Sequence, residues 1–142
     1  MRATSVTARL LLGLLFTVFG LNGFFHFLPM PPPPATGMQF LGTLASTNYL
    51  VPIFALQLVS GLLLLSNRYV PLALTLIAPV IVNILMYHTL MDLKGIVPGA
   101  LATLCWLVTF YSVRPAFAGL FQAKVEQSAD RRSAGVMRTG NV

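Results

Sequence analysis

Acidic residues are nearly missing from this sequence: Asp and Glu together number 3 in 142 residues, and charged residues of both signs make up only 8%. A water-soluble domain carries roughly 25% charged residues, so most of this chain is not built to face water. Glu126 and Asp130 stand in the C-terminal tail and Asp92 at the edge of an apolar run, so no carboxylate lies within a hydrophobic segment. Pumps that move protons through a membrane commonly relay them along buried carboxylates, and carboxylate-driven transport is disfavoured here. The single cysteine, Cys105, lies inside an apolar run. Alone it makes no internal disulfide and no CxxC pair, which excludes thiol oxidases that use paired cysteines of one chain, and it reads as a small packing residue. A Ser-His-Asp set, a phosphate-binding glycine loop and a zinc-ligand cluster are missing as well. No catalytic residue and no metal site is assigned.

What fills the chain is hydrophobic sequence, 56% of all residues. It falls into four runs, at about 10–28, 49–65, 70–90 and 96–113. A helix needs roughly 20 apolar residues to cross a 30 Å hydrocarbon core, and these runs come close to that length. The expected fold is therefore all-α: an integral membrane four-helix bundle forming one domain over residues 1–121. The first run follows Arg2 and Arg9 like a signal peptide, but it outlasts a signal h-region and has no A-x-A site at its end, so it reads as a retained helix. Pro29 and Pro31-Pro32-Pro33-Pro34 stop it, because proline lacks the amide donor and clashes with the preceding turn. Between runs one and two, Met38, Leu41 and Leu44 recur at helical spacing among uncharged polar neighbours, which predicts a short interfacial or re-entrant helix. Residues 122–142 are polar and basic and are expected to form a disordered cytoplasmic tail.

The net charge of +6 does not point to nucleic acid, because the basic residues sit outside the apolar runs. If the four runs alternate across a bilayer, Arg2, Arg9, Arg68, Arg114, Lys124, Arg131, Arg132 and Arg138 share one side and Lys94 alone takes the other. Lys and Arg favour the cytoplasmic side, so both termini are expected there.

Polar residues inside the runs are few, and a polar group in lipid is usually turned toward a partner, cavity or ligand. Asn22 and His26 lie four residues apart on one helix face, as do Asn83 and Tyr87, and again His88 and Asp92; Gln57 stands near the middle of run two. Under the expected topology most of these lie toward the outer side, so Asn22, His26, Gln57, Asn83, Tyr87, His88 and Asp92 form a candidate outward-facing ligand pocket, lidded by residues 31–45. The competing reading is structural: such side chains often only hydrogen-bond neighbouring helices, at about 0.6 kcal/mol each. Two histidines are a weak signal for haem, and Met30, Met38 and Met86 lack the tight spacing of a copper motif. Pro79 removes the partner of the Thr75 carbonyl, which an adjacent donor could satisfy. Gly13 and Gly20 lie nearly opposite Asn22 and His26; glycines permit close helix approach, and this face is a candidate for a homodimer.

The blocks Arg9-Leu10-Leu11-Leu12-Gly13-Leu14, Phe19-Gly20-Leu21-Asn22 and His26-Phe27-Leu28-Pro29, followed by Asn48-Tyr49-Leu50-Val51-Pro52, Gly61-Leu62-Leu63-Leu64-Leu65, Arg68-Tyr69-Val70-Pro71 and Ala78-Pro79-Val80-Ile81-Val82-Asn83-Ile84, together resemble the DoxX family of small bacterial membrane proteins. The resemblance runs from about Arg9 to Phe121. It implies a four-helix protein of the bacterial inner membrane. Some relatives are linked to redox work, as a subunit of a thiosulfate:quinone oxidoreductase or a membrane partner in oxidative-stress defence; the family often carries Glu near the position of Gln57. The resulting expectation is a non-catalytic subunit or partner of a redox-related membrane assembly, in touch with the lipid bilayer and with a soluble oxidoreductase or another membrane subunit. It carries no resident cofactor but has a possible quinone contact. The alternative is a small transporter or a lipid- or quinone-binding protein.

Overall fold

A computed structural model describes residues 2–121, and the side chains of 3–120; the expected tail at 122–142 lies outside the described residues. Five α-helices make up the fold: α1 (Arg2–Phe25), α2 (Ala35–Ser46), α3 (Leu50–Leu65), α4 (Val70–Leu90) and α5 (Ile96–Val113). Short 3-10 turns at Leu93–Gly95 and Arg114–Phe121 flank α5, and no strand occurs among the described residues. Three segments, α1, α4 and the stretch containing α5, are long and apolar enough to cross a membrane; α3 reaches that size only with α2, from which it is bent by 89°.

Helices α1, α3, α4 and α5 close into a ring, each packed on the next, with α1 diagonal to α4. Leu12 and Phe16 of α1, Leu64 of α3, and Leu74 and Ile77 of α4 are wholly buried at its centre. The outside is just as apolar: Leu14, Val97, Leu104 and Leu90 are 54–73% exposed. A surface this apolar is foreign to a protein bathed in water. Where lipid lies outside, burying leucine gains little, and close packing with buried hydrogen bonds must hold the ring.

Each turn has a local cause. Helix α1 begins at Arg2 rather than at Leu10, since Thr4, Ser5, Thr7 and Arg9 lower hydropathy without breaking a helix. It ends at Phe25 rather than Leu28, because His26 turns left-handed at φ 51° and the Asn22 side chain accepts the Leu28 amide at 2.6 Å. Asn67 and Tyr69, both at positive φ, reverse the chain before Pro71, which sits in the first turn of α4 where its missing donor is harmless.

At one end of the ring lie the start of α1, the α3–α4 turn and the close of α5; at the other lie residues 26–49 and 91–95. Arg2, Arg9, Arg68 and Arg114 therefore gather at the first end, and Asp92 and Lys94 at the second.

The glycine face of α1 corrects one expectation. A Cβ on Gly20 would stand 2.8 Å from the Leu58 nitrogen, and one on Gly13 3.1 Å from the Gly61 carbonyl oxygen. On the α3 side, a Cβ on Gly61 would meet the Thr17 backbone nitrogen at 2.6 Å. The Gly13/Gly20 face is thus filled by α3 of the same chain and is closed to a second copy. Sequence told that α1 needs a close neighbour but not which helix supplies it.

Candidate functional site

At the second end, α2 folds over the last turns of α4 and brings aromatic and polar groups together. Phe40 of α2 stacks on Tyr87, with ring centroids 6.0 Å apart and planes inclined 28°. Tyr87 meets His88 edge-on at 5.0 Å. The His88 Nδ1 lies 2.9 Å from the Asp92 backbone carbonyl oxygen. A carbonyl only accepts, so Nδ1 carries the proton, which leaves Nε2 of the neutral ring as an acceptor. Gly95 makes room for this ring, since a Cβ there would run into it.

The Tyr87 hydroxyl is buried and has no hydrogen-bond partner. Gly37 yields the space it occupies: a Cβ on that glycine would lie 2.6 Å from the hydroxyl oxygen. A buried hydroxyl left unbonded costs roughly 1–3 kcal/mol, and within the described residues this donor is unspent.

Of the seven residues expected to converge, Tyr87, His88 and Asp92 do. The rest are dispersed. Asn22 is near the same end, but its side-chain oxygen is spent on the Leu28 amide. His26 is exposed in the left-handed turn after α1. Gln57 is buried in the middle of α3, about two turns from the end that adjoins α2. Asn83 corrects the expectation outright: it is exposed on the outer surface of α4. One helical turn from Tyr87 implies a shared side, but the 40° offset left by four residues at 100° each carries Asn83 past the edge of the bundle.

Three further polar groups stand out only in the folded chain. The hydroxyls of Thr17 and Ser60 are buried and unpartnered, beside Gly61 in the α1–α3 seam. Their signal was the run of small residues Ser60-Gly61 and the placing of Thr17 four residues after Gly13. The third is Arg9, whose guanidinium donates to the carbonyls of Leu64 and Leu65 and so caps α3 from α1. Near Pro79, Trp106 Nε1 donates to the Leu74 carbonyl at 3.0 Å, and not to the Thr75 carbonyl that Pro79 leaves without its helical donor.

An open groove of about 820 Å³ lies at the opposite, arginine-bearing end. Thr4 and Ser5 of α1 face Leu107, Val108, Tyr111 and Ser112 of α5 across it, with Arg114 and Pro115 at its rim. The Arg114 guanidinium lies 4.2 Å from the centre of the Tyr111 ring, a cation–π contact.

No group of three or more His, Cys, Asp or Glu able to hold a metal occurs among the described residues. Fold and site thus define an all-helical protein with membrane-length apolar helices and a tyrosine–histidine cluster under a crosswise helix. No protein family's profile matches the sequence, and no curated protein or solved structure matches it.

Proposed function

We propose that this chain is a DoxX-like protein of the bacterial inner membrane that crosses the bilayer four times, with α2 lying along the outer face and both termini in the cytoplasm. It serves a redox-related assembly as a subunit or partner without chemistry of its own, and it holds a quinone or another apolar carbonyl-bearing ligand at the α2–α4 end. The orientation is supported by the arginines at one end of the ring and the cytoplasmic preference of such residues. A reporter fused after Val142 is expected to be active only in the cytoplasm; periplasmic activity would overturn the four-crossing topology.

The observation that carries the ligand reading is the Tyr87 hydroxyl, buried beneath α2 with its donor unused. A ligand carbonyl is the acceptor it lacks, and an aromatic or quinoid ring would take the stacking position that Phe40 fills. Titrating a short-chain quinone into the protein in nanodiscs tests this. Tyr87→Phe should weaken binding about 5- to 10-fold, the worth of one hydrogen bond, and leave the fold as stable as before or more so. Equal affinity in the two proteins would refute the assignment.

The groove at the arginine end supports a second reading, a lipid-binding protein. Its floor of Leu107 and Val108 suits an acyl chain and Arg114 at the rim suits a phosphate. Under that reading Arg114→Gln loses co-purified anionic phospholipid, while quinone binding does not depend on Tyr87.

A further inference from the structure

Helix α4 carries one polar group in the wrong place for a helix surrounded by lipid. Asn83 is exposed, and its side-chain amide makes no hydrogen bond among the described residues. It lies three residues past Val80, the midpoint of the 21-residue helix, so about 4.5 Å from the centre of a crossing helix. No headgroup or interfacial water reaches that depth, and a polar side chain there is ordinarily turned toward protein. Near the middle of the neighbouring helices the exposed side chains are apolar: Val59 and Leu62 on α3 and Leu101 and Leu104 on α5.

Asn83 does not stand alone. Thr75, Pro79, Val82 and Met86 are exposed with it at helical spacing. The Thr75 hydroxyl is already bonded to the Pro71 carbonyl at 2.9 Å. Pro79 brings no N–H to the Thr75 carbonyl, so this stripe also carries a carbonyl without its usual helical donor, two turns below the amide. Threonine is also small enough for another helix to come close.

We infer that this α4 face is where two copies of the chain meet, with the two Asn83 amides hydrogen-bonded to each other across a twofold axis. The occupant follows from the chemistry of the amide. It has donors and acceptors in one group, and in a twofold pair of chains with the same orientation residue 83 of each copy lies at the same depth. Each amide therefore finds its complement in its own counterpart, and an isologous contact requires nothing else of the partner. The Gly13/Gly20 face of α1 is filled by α3, whereas the Asn83 stripe of α4 is exposed.

The inference rests on the membrane-spanning reading and on no ligand. Cysteines placed singly at Val82 and Met86, and at Leu104 on α5 as a control, can be oxidised in native membranes of cells making the full chain; the native Cys105 is buried and stays in place. Crosslinked dimers are expected from positions 82 and 86 and not from 104. Adding Asn83→Leu should cut the crosslinked fraction, with association weakened roughly 3- to 30-fold, the range for a polar contact between membrane helices. Asn83→Gln, which keeps the amide, should restore much of it. Equal crosslinking from position 104, a chain that stays single, a heterologous protein crosslinked in place of a second copy, or a dimer indifferent to Asn83→Leu would each overturn the inference. Extraction of the chain from membranes by alkaline carbonate would instead overturn the membrane reading beneath it, so the two failures are told apart.

Discussion

Replacing Gly61 by alanine tests how tightly α1 and α3 are joined. The added Cβ would stand 2.6 Å from the Thr17 nitrogen and 2.9 Å from the Gly13 carbonyl oxygen, where ordinary contact begins at 3.4 Å. Both obstacles are backbone and no rotamer change removes them, so α1 must retreat by about 0.8 Å. A gap of 0.5–1 Å forfeits about a quarter to a half of each dispersion contact across the seam, and overpacking of this kind costs roughly 1–3 kcal/mol. Alanine returns up to about 1 kcal/mol through its better helix propensity, which leaves a net loss of about 1–2 kcal/mol. Gly42 supplies the opposite case. It sits in the interior of α2 with nothing within 4 Å of an added Cβ and no positive φ, so Gly42→Ala should gain about 0.5–1 kcal/mol. The same chemical change thus has opposite signs at the two positions. Unfolding by sodium dodecyl sulfate in mixed micelles, followed by circular dichroism, measures both. A Gly61→Ala protein as stable as the Gly42→Ala protein would refute the close seam and with it the assignment of the Gly13/Gly20 face to α3.

Two further outcomes follow from hydrogen bonds that cross between helices. Arg9→Met keeps the aliphatic stem but removes the donor to the Leu64 and Leu65 carbonyls; a loss of about 1–2 kcal/mol is expected in the same titration, and an unchanged midpoint would mean that water already serves those carbonyls. Trp106→Phe removes the 3.0 Å bond to Leu74 while keeping an aromatic ring to stack on Phe110 at 5.0 Å. It should cost about 1 kcal/mol, whereas Trp106→Ala, which also removes a half-buried ring packed against the core, should cost more, about 2–3 kcal/mol.

The helices were readable because their limits are chemical. Pro29 to Pro34 end one segment, Ser66-Asn67-Arg68 another, and Pro71 and Pro115 stand where α4 begins and α5 has ended. The start of α1 was not, because hydropathy marks where lipid would begin and not where hydrogen bonding does; Thr4, Ser5 and Thr7 are helical and polar at once. In the candidate site, spacing along one helix linked His88 to Asp92 correctly, although the bond uses the Asp92 carbonyl and not its carboxylate. Spacing fixes which residues share a face but not which way that face turns, and Asn83 was misplaced for that reason. Phe40 and Gly37 escaped notice because their role depends on α2 folding back over α4, a contact between segments about 50 residues apart. Thr17, Ser60 and Arg9 likewise show their part only once α1 lies against α3.

The unequal helices have a consequence for the bilayer itself. At 1.5 Å per residue, the 16 residues of α3 reach about 24 Å and the 21 of α4 about 31 Å. A membrane that wets both must be thinner on one flank of the bundle than on the other, at a cost of fractions of a kcal/mol for each ångström of mismatch. Short-tailed lipids relieve that cost beside α3, and longer tails suit α4. Under the four-crossing proposal the protein is a wedge that sorts the lipid around it by chain length, and the gradient it imposes gives a neighbouring helix a preferred side from which to approach.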